Sequence, residues 1–226
     1  MIIRKEESHS WKNGKQTLKG RKWHWIDKDF MCKLLSRIVS LSLFASVTCC
    51  QELPKDESLS LLQEGGYIIF MRHADAPSER PTSETAAQGN TNLERQLDEK
   101  GRQDARKFGE AIRRLRIPIS SVERSPTFRT MQTAEYAGFR EVIIQDFLLE
   151  EDMIGVTPNR LNRLLEELAK KPQSGNRLLF SHSGNIMASF PELNPRIEQG
   201  EALIIDPTRI GNILVSRIKI TEWENF

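Results

Sequence analysis

Two apolar, strand-like runs end directly in histidine. Residues 67–71, Tyr-Ile-Ile-Phe-Met, lead into Arg72-His73-Ala74, and residues 178–180, Leu-Leu-Phe, lead into Ser181-His182-Ser183-Gly184. Short continuous apolar runs fit strands buried on both faces, as in a parallel sheet covered by helices. A residue at the carboxyl end of such a strand faces the ligand crevice. The chain has four histidines, and two of them occupy such positions. Between them lies a third segment, Arg124-Ser125-Pro126-Thr127-Phe128-Arg129-Thr130-Met131-Gln132-Thr133-Ala134. Together the segments supply arginines and histidines in a combination suited to phosphoryl transfer.

The remaining pattern alternates strands with helices. A short helix is expected over 58–64, stopped by Gly65-Gly66. A long polar loop follows the first strand over 75–92; loops of that length in compact domains are usually functional or mobile. Asp98 caps a helix whose buried stripe is Ala105, Phe108, Ile112 and Leu115. Strands are expected over 119–123, 141–145 and 177–180, and a helix over 127–137. Pro158 opens another helix, with Leu161, Leu164, Leu165 and Leu168 on one face. A short helix follows Gly184. Residues 201–206 and 212–220 read as a final hairpin around Gly211. The fold class is therefore α/β, with a mostly parallel central sheet covered on both faces.

Arg72-His73-Ala74, Ser125-Pro126 with Arg129-Thr130 and Thr133-Ala134, and His182 resemble, in order, the motifs of the histidine phosphatase superfamily, the phosphoglycerate-mutase-like fold. Ala74 stands where the family signature has Gly. The resemblance runs from about residue 59 to 223 and implies a three-layer αβα sandwich. It also implies roles. His73 is the nucleophile that forms a phosphohistidine. Arg72 and Arg129 clamp the phosphate, since guanidinium offers a planar bidentate fork that stays charged at working pH. Arg129 sits in the first turn of its helix, where backbone N–H groups favour an anion. His182 is the second phosphate-binding histidine, with Ser183 beside it at a helix start. Leu148-Leu149-Glu150 fits the family's acid context, making Glu150 the general acid; Glu151, Asp152 and Asp75 are alternatives. The asparagine that many members carry soon after the signature is absent, and a loop residue such as Arg80 is a candidate replacement. Glu201, after Gly200, reads as structural. Arg124 and Arg140 read as surface residues. No cofactor and no metal are implied.

The chain has 226 residues and a net charge of +2. That figure hides an asymmetry: residues 1–49 hold ten Lys/Arg and four Asp/Glu, which leaves the remainder at net −4. An acidic body argues against a nucleic-acid-binding surface. All three cysteines, Cys32, Cys49 and Cys50, precede the body, which therefore has no internal disulfide and no cysteine nucleophile. Lys33 and Arg37 precede an uncharged run over 38–47, too short to span a bilayer but suited to a secretion signal. Ending in Val47-Thr48-Cys49-Cys50, it resembles a bacterial lipoprotein signal with Cys50, or Cys49, lipidated. The expected organisation is a basic extension over 1–30 (or a true start at Met31), a signal over 31–50, a linker over 51–57 and a histidine phosphatase domain over 58–226.

The expected function is metal-independent hydrolysis of phosphomonoesters, with a small phosphorylated molecule or a phosphoprotein as substrate. Lipidation would place the protein outside the cytoplasm, anchored to the membrane; without it a cytoplasmic location stands. A phosphomutase would carry larger helical insertions than the single helix expected between Glu151 and Arg177. A non-catalytic anion-binding lipoprotein on the same scaffold is the alternative from another class.

Overall fold

Strand pairing places the two histidine motifs side by side. The computed structural model describes residues 52–150, 156–210 and 213–226. The basic extension, the signal-like segment with Cys49 and Cys50, and Glu151 and Asp152 lie outside the described residues. The elements in chain order are α1 (Lys55–Glu64), β1 (Ile68–Arg72), α2 (Glu99–Arg114), β2 (Ile119–Arg124), α3 (Phe128–Tyr136), β3 (Val142–Ile144), a 3₁₀ turn (Asp146–Leu148), α4 (Pro158–Leu168), β4 (Asn176–Ser181), α5 (Ser183–Ser189), β5 (Ala202–Ile205), β6 (Leu214–Ile218) and a closing 3₁₀ helix (Ile220–Asn225). The sheet runs β3-β2-β4-β1-β5-β6. Its β3–β2, β2–β4 and β4–β1 pairs are parallel, whereas β5 and β6 add an antiparallel edge beside β1.

Alternation along the strands produces two cores, one per face. Ile69 and Met71 of β1 join Leu178, Phe180, Ile204 and Val215 in a core covered by Leu62 of α1, Phe108 of α2 and Ala134 of α3. Ile68 and Phe70 join Leu179, Leu203 and Ile205 on the opposite face, covered by Leu164 and Leu168 of α4 and Ile186 of α5. The result is the three-layer αβα arrangement expected from the sequence.

Helix α2 shows how closely the layers approach. Asp98 caps it, its side chain accepting from the Gly101 N–H at 2.7 Å. A Cβ on Gly101 would sit 2.1 Å from the Asp75 carbonyl oxygen, and one on Gly109 1.9 Å from that of Ala137. Only glycine lets α2 rest directly on the backbone that follows β1 and α3.

Some expectations need correction. Leu165 is not part of the buried stripe: it is 42% exposed, because α4 turns only Leu164 and Leu168 fully inward. Leu115 is only partly buried, as the residue that ends α2. Both 3₁₀ elements lack the 3.6-residue periodicity that betrays a helix. The closing one carries Trp223, which is fully buried and meets Phe108 edge-on at 5.3 Å. No helix among the described residues is long and apolar enough to cross a membrane. Trp223→Ala is expected to cost about 3–5 kcal/mol, read as a lower urea midpoint with an unchanged m-value.

Candidate active site

The register of β1 on β4 pairs Arg72 with Ser181, so His73 and His182 leave the sheet as neighbours. The His73 N–H donates to the Ser181 carbonyl at 3.0 Å. After β1 the chain crosses to α2 on one face; after β4 it turns into α5 on the other. The two connections diverge there, at a topological switch point, where α/β sheets place their ligand crevice. The imidazole centroids stand 5.5 Å apart with planes inclined at 58°.

Hydrogen bonding assigns the role of the His73 nitrogens. Nδ1 lies 2.8 Å from the Ala74 carbonyl oxygen. A carbonyl only accepts, so Nδ1 carries the proton and Nε2 keeps its lone pair; the tautomer is assigned from this bond. Burial pushes the His73 pKa down to about 3. The Ala74 bond opposes that shift, while the positive fields of Arg129, Arg72 and Arg95 reinforce it. Burial, Arg129 and His73 likewise hold His182 well below the ordinary histidine value. His182 Nε2 lies 2.9 Å from Ser125 Oγ, so the Ser-Pro motif orients this ring.

Threonines position the arginines. Arg129, in the first turn of α3, is 4% exposed. Thr133 Oγ1 donates to the Arg129 carbonyl at 2.8 Å and accepts the Ala74 N–H at 3.1 Å, tying α3 to the end of β1. Thr130 Oγ1 donates to the Ser125 carbonyl at 2.8 Å. Arg72 Nη1 donates to the Ile197 carbonyl at 3.0 Å. Burial draws the Arg72 pKa down, as do Arg95 and Arg196, whereas Glu150 and Asp75 oppose it.

Glu150 joins the site through its neighbours. The Leu148 carbonyl receives both Ser181 Oγ at 3.0 Å and Asn185 Nδ2 at 2.7 Å, which pins the turn before Glu150 to β4 and α5. The Glu150 carboxylate lies against Gly184, where a Cβ would sit 2.1 Å from Oε1. Asp75, one of the alternatives, has its carboxylate bonded to Lys100. Ser183 is the first residue of α5, partly buried beside His182. Glu201 is structural: its carboxylate pairs with Arg217 Nε at 2.7 Å and accepts the Glu198 N–H at 2.8 Å.

Two readings of the arginines change. Arg124 is not a plain surface residue; it is partly buried, and Nη1 donates to the Ser125 carbonyl at 2.8 Å. Arg80 is exposed. The loop arginine that acts on the histidines is Arg95, whose field reaches both His73 and His182. Its position two residues before the buried Leu97 and three before the Asp98 cap is the available signal, since a residue leading into a docked helix start is held in place.

The arrangement gathers one imidazole with an unprotonated Nε2, a second buried imidazole, Arg72, Arg129 and the Glu150 carboxylate. Residues 68–157 match the model of the histidine phosphatase superfamily, branch 1. Among solved structures, the protein histidine phosphatase SixA complexed with tungstate is similar at 17% identity and a TM-score of 0.51, over 69% of this chain and 98% of that one. The product of the open reading frame Rv3214 from Mycobacterium tuberculosis is similar at 17% identity and a TM-score of 0.48, over 66% and 94%. TTHB049 from Thermus thermophilus is similar at 21% identity and a TM-score of 0.46, over 67% and 98%. No curated protein sequence matches this chain.

A lowered histidine pKa carries a definite sign. Protonation of both histidines is disfavoured in the folded chain; for His73 the unfolded state binds more protons between pH 6.5 and about 3, so folding stability falls as pH falls through that range, and His182 contributes with the same sign. The imidazole signals of both residues are expected to keep neutral chemical shifts down to pH 5 in NMR titrations of the free protein. Titration of either near pH 6.5 would contradict the assignment.

Proposed function

We propose that this chain is a metal-independent phosphatase that hydrolyses phosphomonoesters through a phosphohistidine on His73. The observation that carries this reading is the Nδ1–Ala74 bond at 2.8 Å, which leaves Nε2 unprotonated beside His182 and in the fields of Arg129 and Arg72. In the first step the Nε2 lone pair attacks phosphorus in line, the ester P–O bond breaks, and Glu150 donates a proton to the departing oxygen. Arg72 and Arg129 offset the charge that spreads over the equatorial oxygens. The imidazole becomes cationic as the P–N bond forms, and the Ala74 carbonyl stabilises its Nδ1–H. In the second step Glu150 takes a proton from water, the water oxygen attacks phosphorus, and the P–N bond breaks. Phosphate leaves and His73 returns to its neutral form.

The placement of Glu150 beside Gly184 and within the field of Arg72 supports its role as the acid. This counts against the non-catalytic reading, which the doubtful acid and the missing asparagine motivate. The single described helix between Glu150 and β4, α4, favours a compact phosphatase over a mutase whose intermediate needs shielding from water. SixA is named a protein histidine phosphatase; at this identity its fold is shared, and the substrate is a matter for this chain's own site.

Hydrolysis of aryl phosphates tests the reading. Turnover is expected to persist in EDTA and to fall at least 10³-fold in His73→Ala, since that variant lacks the covalent route. Glu150→Gln is expected to lose about 10²-fold on phenyl phosphate, whose leaving group needs a proton, and far less on 4-nitrophenyl phosphate. EDTA-sensitive turnover would count against a metal-independent route, and equal losses on both esters would count against Glu150 as the acid.

We further propose lipid anchoring at Cys50, or Cys49, and an extracytoplasmic location, on the strength of the basic, apolar and cysteine-terminated order of residues 33–50. Cys49→Ser/Cys50→Ser is expected to move the protein from the membrane fraction to the soluble fraction; unchanged membrane association would rule lipidation out.

A further inference from the structure

The core covered by α2 and α3 runs out beside β3. That strand is three residues long, pairs with β2 alone and ends the sheet on its side. Tyr136, Phe139 and Val142 pack against the core but stay only partly buried. Beside them a cavity of about 720 Å³ opens between Arg106 of α2, Arg124 of β2, Met131 and Glu135 of α3 and the turn that leads into β3. Small-molecule sites have volumes of this order. None of the residues gathered around His73 lines it. Arg124 ends β2 and Ser125, which orients His182, follows it, so the cavity lies one residue along the chain from the phosphate site without sharing a side chain with it.

The walls of the cavity are held in place. Gly109 lets α2 lie on the Ala137 carbonyl, and Arg113 Nη1 donates to the same oxygen at 2.9 Å. Gly138, at φ 84°, turns the chain out of α3 toward β3. Arg106 lies over the Tyr136 ring, 4.7 Å from its centroid, a contact that suits a guanidinium plane. Arg124 is tethered by the bond from its Nη1 to the Ser125 carbonyl. The lining carries three guanidinium groups and one carboxylate, Glu135. Glu99 stands 3.8 Å from Arg106, Glu94 acts on Arg124 through its field, and Arg140 is exposed. The lining is thus cationic on balance and, through Met131, Tyr136, Phe139 and Val142, apolar and aromatic as well.

We infer that this cavity is a ligand site separate from the phosphate site, and that it takes a small aromatic anion. The mixed lining selects that class. A neutral apolar molecule would cover guanidinium groups without giving them a hydrogen-bond partner, which is costly. An inorganic anion would leave the aromatic and aliphatic wall in water. A flat ring bearing a carboxylate, sulfonate or phosphate answers both: the ring packs on Tyr136 and Phe139, and its anionic group pairs with Arg106 and Arg140. Because the walls are tied down before binding, little ordering cost is left to the ligand. The site does not rest on the phosphatase reading above.

Calorimetry on the full chain tests the site with three probes. Naphthalene-2-sulfonate has the ring and the charge, naphthalene-2-sulfonamide the ring alone, and methanesulfonate the charge alone. The naphthalene sulfonate is expected to bind about tenfold tighter than either of the others, as two ion pairs at a solvent-facing site would give. In Arg106→Gln/Arg140→Gln the two naphthalenes are expected to bind within about twofold of each other, with the sulfonamide keeping its native affinity. Arg72→Gln, which removes a residue of the phosphate site, is expected to keep the tenfold preference. Loss of the preference in Arg72→Gln would put the sulfonate in the phosphate site and overturn the proposal. Equal affinities in the native chain would overturn it too, as would a preference that survives Arg106→Gln/Arg140→Gln. Equal weakening of both naphthalenes in that variant would mark the two arginines as structural and would also overturn it.

Discussion

The parallel pairing of β1 with β4 is the constraint on which the site depends. Each strand delivers one histidine at its carboxyl end, and the register decides whether the two meet. Arg72 opposite Ser181 sets His73 beside His182. That register is fixed by the faces of the strands: Ile69 and Met71 share one core with Leu178 and Phe180, and Ile68 and Phe70 share the other with Leu179. A slip of one residue would exchange every side chain between two differently shaped cores. The apolar packing of the sheet thus determines the geometry of a polar site to which it contributes no catalytic atom.

Electrostatics complete what the register begins. The pocket gathers positive charge beside two imidazoles that are almost fully buried. Burial alone disfavours imidazolium, and the adjacent guanidinium groups add to the effect. In the proposed mechanism, attraction for a phosphate dianion and neutrality of His73 therefore reinforce each other, since the cations that would draw the anion in add to burial in keeping protons off His73. The Ala74 carbonyl supplies the complement. It holds the proton on Nδ1 in the resting ring and offers a nearby partial negative charge when that ring becomes cationic.

Much of this was legible in the sequence because β1 and β4 each carry a short apolar run, Ile68–Met71 and Leu178–Phe180, with chemistry at one end. The stripe Ala105, Phe108 and Ile112 and the Asp98 cap were equally plain. The antiparallel edge was readable as a hairpin, but its docking against β1 was not, since that depends on contacts between residues more than a hundred positions apart. Trp223 escaped for a similar reason: it sits in a short 3₁₀ helix, and its burial depends on Phe108 across the core. Arg95 was hidden in a polar loop where side-chain type carries little weight. Its significance comes from two backbone carbonyls eighteen and nineteen residues earlier, which it reaches only because the loop folds back.

Helix α3 explains why that loop folds back at all. Thr130, Gln132 and Thr133 are polar, yet each is at most 3% exposed. Left unpaired, such groups would cost about 1–3 kcal/mol each. Instead Thr133 takes the Ala74 N–H, Gln132 takes the Leu97 N–H and Thr130 takes the Ser125 carbonyl, so three separate stretches of chain are held to one helix. The Phe128 N–H, unsatisfied within the helix, takes Glu94. The motif around Arg129 is thus longer than the proposed phosphate-binding role requires. Its threonines and glutamine set where β1 ends, where α2 starts and how the Ser125 turn runs, and so hold the segments carrying Arg129 and Arg95, whose charges both act on His73.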